Sequence, residues 1–207
     1  MNQEYREHRD YREHKREEWA IILERLPSGK AGEARGEPIA QVVGESYFTL
    51  LEVVPKTGVK LDVGGRIYIG QGEREAVERV RGRITYNELT SSAQRELPDA
   101  IRKIVKSKEA DLVNFINRAG ALNIRCHILE LLPSIGKKNL GAILEARDKM
   151  PFKSFADIRE RVPHLGAPEE IFVERIMEEL RGPGKYYLFI KAPSTRSEFA
   201  STRGEFH

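Results

Sequence analysis

The segment Leu132-Pro133-Ser134-Ile135-Gly136-Lys137-Lys138-Asn139 has the residue types and spacing to hold a phosphate. A tight turn at Gly136 leaves backbone N–H groups unpaired at the start of the following helix. Those donors and the helix dipole attract an anion. Lys137 and Lys138 fall in that same first turn, where positive side chains oppose the dipole, so an anionic partner accounts for their placement. A positive φ is expected at Gly136, where a β-branched side chain would fit poorly. The expected contacts are therefore Ser134, Ile135, Gly136, Lys137, Lys138 and Asn139.

Other reactive residue types are present without the spacing that chemistry needs. Cys126 and His127 are adjacent, and on a helix adjacent residues point about 100° apart, so they read as a structural pair. One cysteine excludes an intrachain disulfide and a multi-cysteine zinc site. His8 and His14 are six apart, which does not place them on one helical face. Gly70-Gln71-Gly72 is a strand-ending turn, and no Walker loop occurs. No catalytic residue, metal ligand or cofactor is expected.

Residues 18–89 must position any barrel surface. Trp19–Leu23, Ile39–Val43, Tyr47–Val54, Arg66–Gly70 and Val77–Ile84 are short strand signals separated by Gly/Pro turns such as Pro27-Ser28-Gly29 and Pro55-Lys56-Thr57-Gly58. Five such strands with no intervening helical period predict a small closed barrel of the OB type. In the fourth, Arg66 and Tyr68 alternate with Ile67 and Ile69; in the fifth, Arg79, Arg81 and Arg83 form one row. A base stacked on Tyr68, with arginines on the phosphates, is the functional reading. The alternative is a solvated strand face balanced by Glu73, Glu75 and Glu78.

From Thr90 the period becomes helical. Thr90-Ser91-Ser92 is an N-cap signal, and Pro98 suits the first residue of a further helical segment. Helices are expected over 124–132, after Gly136, over 155–162 and over 169–181. Tyr186–Ile190 reads as a short C-terminal strand, 1–17 as a charged arm and 192–207 as a polar tail. Residues 90–150 hold eleven Lys/Arg against seven Asp/Glu, whereas 18–89 hold ten against eleven. The positive excess is thus concentrated around the 132–139 segment, the footprint expected of phosphate binding.

That segment resembles the helix-hairpin-helix motif, whose usual hairpin is Leu-Pro-Gly-Ile-Gly followed by a basic residue; Ser134 stands where the first glycine usually is. Val162-Pro163-His164-Leu165-Gly166 repeats the pattern thirty residues later, pairing Pro133 with Pro163 and Gly136 with Gly166. The second copy continues into Glu169 and Glu170, which repel phosphate, so it reads as structural. Arg159 and Arg161 beside it are expected in exposed turns. The fold class is therefore α+β: an OB-like five-stranded barrel (18–89), then a helical region (90–191) with paired helix-hairpin-helix motifs at 122–150 and 154–181 and a short C-terminal strand.

The order of Phe48–Pro55, Arg66–Gly70, Glu130–Lys138 and Tyr186–Phe189 resembles the archaeal domain of unknown function 655 family, over roughly residues 18–191. The resemblance implies an OB-like barrel with helix-hairpin-helix elements, nucleic-acid binding, and a link to translation or ribosomal-RNA modification. It favours RNA over DNA. The expected function is non-enzymatic nucleic-acid binding. A repair-type DNA enzyme using Asp148 or Asp157 is the alternative, and a protein-interaction module the third reading. No run of eighteen apolar residues occurs, so no membrane partner is expected. The charged N-terminus lacks a signal peptide's apolar stretch, so a cytoplasmic location is expected.

Overall fold

A computed structural model of the chain describes residues 16–30, 36–182 and 184–191. The expected arm (bar its last two residues), with His8 and His14, and the expected tail lie outside the described residues. The sequence from 18 to 89 folds as five antiparallel strands: β1 (Trp19–Leu26), β2 (Ile39–Gly44), β3 (Leu50–Pro55), β4 (Arg66–Tyr68) and β5 (Val77–Arg83), in the order β4-β1-β2-β3-β5. The sheet curls into a half-barrel whose two end strands, β4 and β5, are not hydrogen-bonded to each other.

Alternation assigns the two faces. Ala20, Ile22, Ala40, Val42, Leu51, Val53 and Ile67 fill the inside of the curl with Leu61, Ile69 and Val77. Ile21, Leu23, Val43 and Leu50 point the other way, into a second core shared with the helices. Gln41 and Glu52 are paired across β2 and β3 on that outer face. Gln41 Nε2 donates to Glu52 Oε1 at 3.2 Å and to the Glu88 carbonyl at 3.1 Å, and its Oε1 accepts the Thr90 N–H at 2.9 Å. One buried amide thus ties the sheet to the chain entering the helical region.

That region opens with α1 (Ser91–Ser107), capped by Thr90, whose hydroxyl accepts the Ala93 N–H at 3.1 Å. Pro98 lies inside α1 and starts no new helix. Buried Leu97, Ile101, Ile104 and Val105 override the proline by packing α1 on β1 and on α5. α2 (Glu109–Arg118) follows, then β6 (Ala121–Asn123) and β7 (Cys126–His127), α3 (Lys137–Lys149), α4 (Phe155–Arg161) and α5 (Pro168–Arg181).

Two expected elements differ. Residues 124–132 are not an α-helix: β6 and β7 form a two-stranded ribbon, followed by a 3-10 turn at Ile128–Leu131. Asn123 Oδ1 accepts the Arg125 N–H at 2.8 Å, a local side-chain bond that competes with helix. Nor is 186–190 a strand. Its N–H groups at Leu188, Phe189 and Ile190 donate to the buried Glu179 carboxylate at 2.8, 3.0 and 3.1 Å. Arg175 Nε completes the arrangement at 2.8 Å, so the backbone is satisfied without a partner strand.

Candidate functional site

The 132–136 loop carries α3 on its far end. Its left-handed residue is Ser134, at φ +63°, and not Gly136, which is extended at φ −83°, ψ −178°. The expected positive φ therefore falls two residues earlier, at the position where the helix-hairpin-helix pattern has its first glycine. In the 162–166 loop the positive φ is at Gly166, +83°. The aligned pair Gly136 and Gly166 thus have different backbones, because a 3-10 turn at Pro163–Leu165 shapes the second loop.

Gly136 is the N-cap of α3 and supplies no side-chain acceptor. Nothing lies within 4 Å of where a Cβ would stand on it. The first-turn donors of α3 therefore receive no side-chain cap from Gly136, and the helix dipole adds to their pull on an anion. Asn139 Nδ2 is turned back onto the Ser134 carbonyl at 2.8 Å and braces the loop. Ile135 is buried in the helical core and anchors it.

The two lysines are not equivalent. Lys137 Nζ pairs with Glu130 Oε1 at 2.7 Å, while exposed Lys138 has no partner among the described residues. The hydrogen bond from Lys137 and that from the His127 N–H hold the Glu130 carboxyl below its usual range. Partial burial, then Arg147, push the His127 imidazole below its ordinary value against the opposing pull of Glu130. His127 Nδ1 accepts the Leu129 N–H at 3.1 Å, so this histidine shapes the turn that precedes the loop.

The 162–166 loop is bound up in structure. Glu169 pairs with Arg159 and Glu170 with Arg102, tying α5 to α4 and to α1. Arg161 is not exposed as expected. It donates to the Ala146 carbonyl and to the Met150 carbonyl at 2.7 Å, and lies 4.6 Å from the Phe152 ring centroid. Asp157 accepts the Lys153 N–H at 2.9 Å and pairs with Arg161, so it is committed to structure.

On the sheet, the expected row of arginines is broken. β5 has register shifts against β3, between Glu52 and Val53 and between Val54 and Pro55. Such bulges offset the alternation. Arg83 stands opposite Leu51 and Arg79 opposite Val54, so they face opposite sides. Arg79 pairs with Glu37 at 2.6 Å and Arg81 approaches Glu52 at 3.8 Å. Arg66 is held by both oxygens of Glu45, at 2.8 and 2.9 Å, and lies 3.9 Å over the Trp19 ring. Trp19 in turn meets Tyr68 edge-on at 5.2 Å.

Tyr68 and Arg83 do come together, in a cleft of about 890 Å³ between the unpaired ends of the sheet. Sequence reasoning missed the other cations there, Arg16 and Arg74. The Gly70-Gln71-Gly72 turn was a signal for it. A Cβ at Gly70 would overlap the Tyr68 ring, and the Tyr68 hydroxyl accepts the Gly72 N–H at 3.3 Å.

A family model described as "Protein of unknown function (DUF655)" matches residues 16–191, from the start of the described fold to the segment held by Glu179. The chain belongs to this family. Among its relatives, Uncharacterized protein MJ0038 of Methanocaldococcus jannaschii is 40% identical over 177 residues, 84% of this chain and 80% of that protein. The crystal structure of Af1531 from Archaeoglobus fulgidus, matched by the same DUF655 model, is similar with a TM-score of 0.80 and 44% identity, covering 84% of this chain and all of the other. The DUF655 match takes in both the α3 N-terminus and the β4–β5 cleft. No helix among the described residues is long and apolar enough to cross a membrane.

Proposed function

We propose that this DUF655 protein binds nucleic acid, RNA in preference to DNA, and does so without catalysing a reaction. The observation that carries this reading is the start of α3, where uncapped backbone donors, the unobstructed Gly136 and the unpartnered Lys138 converge. Such a place suits a phosphate of a polymer backbone. Two features support the same reading. The 132–136 loop puts a left-handed residue where the helix-hairpin-helix pattern has its first glycine, and Ile135 and Leu165, one from each loop, are buried in the same helical core. The sheet, ordered β4-β1-β2-β3-β5 with each hydrogen-bonded pair antiparallel, curls into a half-barrel open between β4 and β5, and a curled β-surface of this kind is what OB proteins offer a single strand.

The test is fluorescence anisotropy with labelled RNA and duplex DNA at two salt concentrations, on the wild type, Lys138→Glu and Lys56→Glu. Lys56 is exposed in the turn after β3 and carries the same charge change. Binding is expected to fall steeply with salt and to be weakened by Lys138→Glu far more than by Lys56→Glu. Equal losses, or affinity indifferent to salt, would remove the α3 site from the reading.

A further inference from the structure

We propose that the cleft between β4 and β5 holds an unpaired nucleotide, with its phosphate on Arg16, Arg74 and Arg83 and its base against the apolar wall. The proposal rests on the nucleic-acid reading above and names where a single strand is gripped.

The cleft exists because the half-barrel does not close. Its volume, about 890 Å³, falls in the range of sites that take a small ligand, roughly 300–1,000 Å³. Its three arginines come from three separate stretches of chain: before β1, after β4 and at the end of β5. Folding alone gathers them.

Their pairing separates these arginines from the others on the sheet. Arg66, Arg79 and Arg81 each have a carboxylate, from Glu45, Glu37 and Glu52. Arg16 and Arg83 have none among the described residues. Among the described residues Arg74 uses only its Nε, on the Gly70 carbonyl at 2.7 Å. Of the two acids in the lining, Glu17 is buried and already accepts the N–H groups of Ser46, Tyr47 and Thr49 at 2.7, 2.9 and 3.0 Å. Glu18 is left against three guanidinium groups. Three guanidinium groups against two carboxylates leave the cleft with a net positive charge, which an anionic ligand offsets.

The rest of the lining suits a base. Leu51, Ile69 and Val80 give an apolar wall, and Tyr68 is held in place by Trp19 and by the Gly72 N–H. A prepositioned ring loses little freedom on binding. Thr49 and Gln71 add hydrogen-bonding groups at the same cleft. A base within a duplex is stacked on both faces and cannot reach such a wall, so the ligand is single-stranded or free.

The experiment compares Arg83→Ala with Arg79→Ala, which removes the same charge from the same strand on its other face. Both are exposed positions, and circular dichroism checks the fold. The probes are a labelled single-stranded RNA of about twelve nucleotides, read by anisotropy, and adenosine monophosphate, read by calorimetry. Arg83→Ala is expected to weaken single-strand binding about tenfold, the scale of one charge-assisted contact, and Arg79→Ala to leave it unchanged. If the wild type binds RNA and Arg83→Ala binds equally well, or both variants lose equally, the cleft is overturned while the nucleic-acid reading stands. If the wild type takes adenosine monophosphate in an Arg83-dependent way but no RNA, the cleft stands and that reading falls. Binding of neither probe overturns both.

Discussion

Lys137 Nζ lies 2.7 Å from Glu130 Oε1, and the other oxygen of Glu130 accepts the His127 N–H, also at 2.7 Å. One carboxylate therefore restrains the first lysine of α3 and closes the turn that leads into it. The pair of lysines that the sequence presents as equals is divided by this contact, and of the two only Lys138 has no partner among the described residues.

Glu130→Gln is accordingly expected to strengthen nucleic-acid binding. It removes a negative charge beside the site and releases Lys137, while its amide oxygen still accepts the His127 N–H. One added phosphate contact steepens the salt dependence by about 0.7–0.9 in the log–log slope, which a salt titration by anisotropy measures. Weaker binding by this variant would mean that phosphate does not approach the start of α3.

Gly136→Asp is expected to move stability and binding in opposite directions. Gly136 is extended and its Cβ position is open, so aspartate can cap α3 without strain. The gain over glycine is a few tenths of a kcal/mol up to about 1 kcal/mol, adding the dipole contribution to the cap. The same carboxylate occupies the donors that phosphate would use, so affinity should fall. Urea denaturation and anisotropy on the same sample check both halves. Unchanged binding in a stabilised variant would exclude the helix start as the contact.

Arg161 and Arg159 are two residues apart and do different work. Arg161→Ala removes donors from the carbonyls of Ala146 and Met150 at the end of α3 and the guanidinium above Phe152. It is expected to cost about 1–3 kcal/mol in denaturant unfolding. Arg159→Ala breaks one ion pair, exposed at Arg159 and largely covered at Glu169, and removes no backbone contact, so it should cost less than Arg161→Ala. Equal costs would contradict the capping role of Arg161.

His127 ties stability to pH. Its folded imidazole lies below the ordinary 6.5, so the folded state takes up a proton less readily than the unfolded chain. The stability it contributes is present above about pH 6.5 and is lost as pH falls from there through the folded value. Protonation also removes Nδ1 as acceptor for the Leu129 N–H. An NMR titration should place the imidazole midpoint below 6.5, and His127→Asn should lessen the loss of stability as pH falls below about 6.5. A midpoint at or above 6.5 would reverse the sign.

Much of the scaffold was legible in the residues themselves, because strand and helix signals are local. The five strand runs, the Thr90 cap and the α4 and α5 segments follow from alternation, capping chemistry and helical period. The charge concentrated between 90 and 150 is a property of composition alone. What pairing does to those elements is not local. Alternation put Arg79, Arg81 and Arg83 in one row, but the bulges opposite β3 turned Arg83 to the inside and left Arg79 outside. The apolar run 186–190 carried the mark of a strand, yet its donors end on Glu179, a side chain nine to eleven residues back that offers acceptors no sheet edge had to supply. Arg16, Arg74 and Arg83 are scattered along the chain, and nothing in their spacing relates them. They meet because β4 and β5 stop short of pairing, and only the three-dimensional curl of the sheet decides where that gap lies.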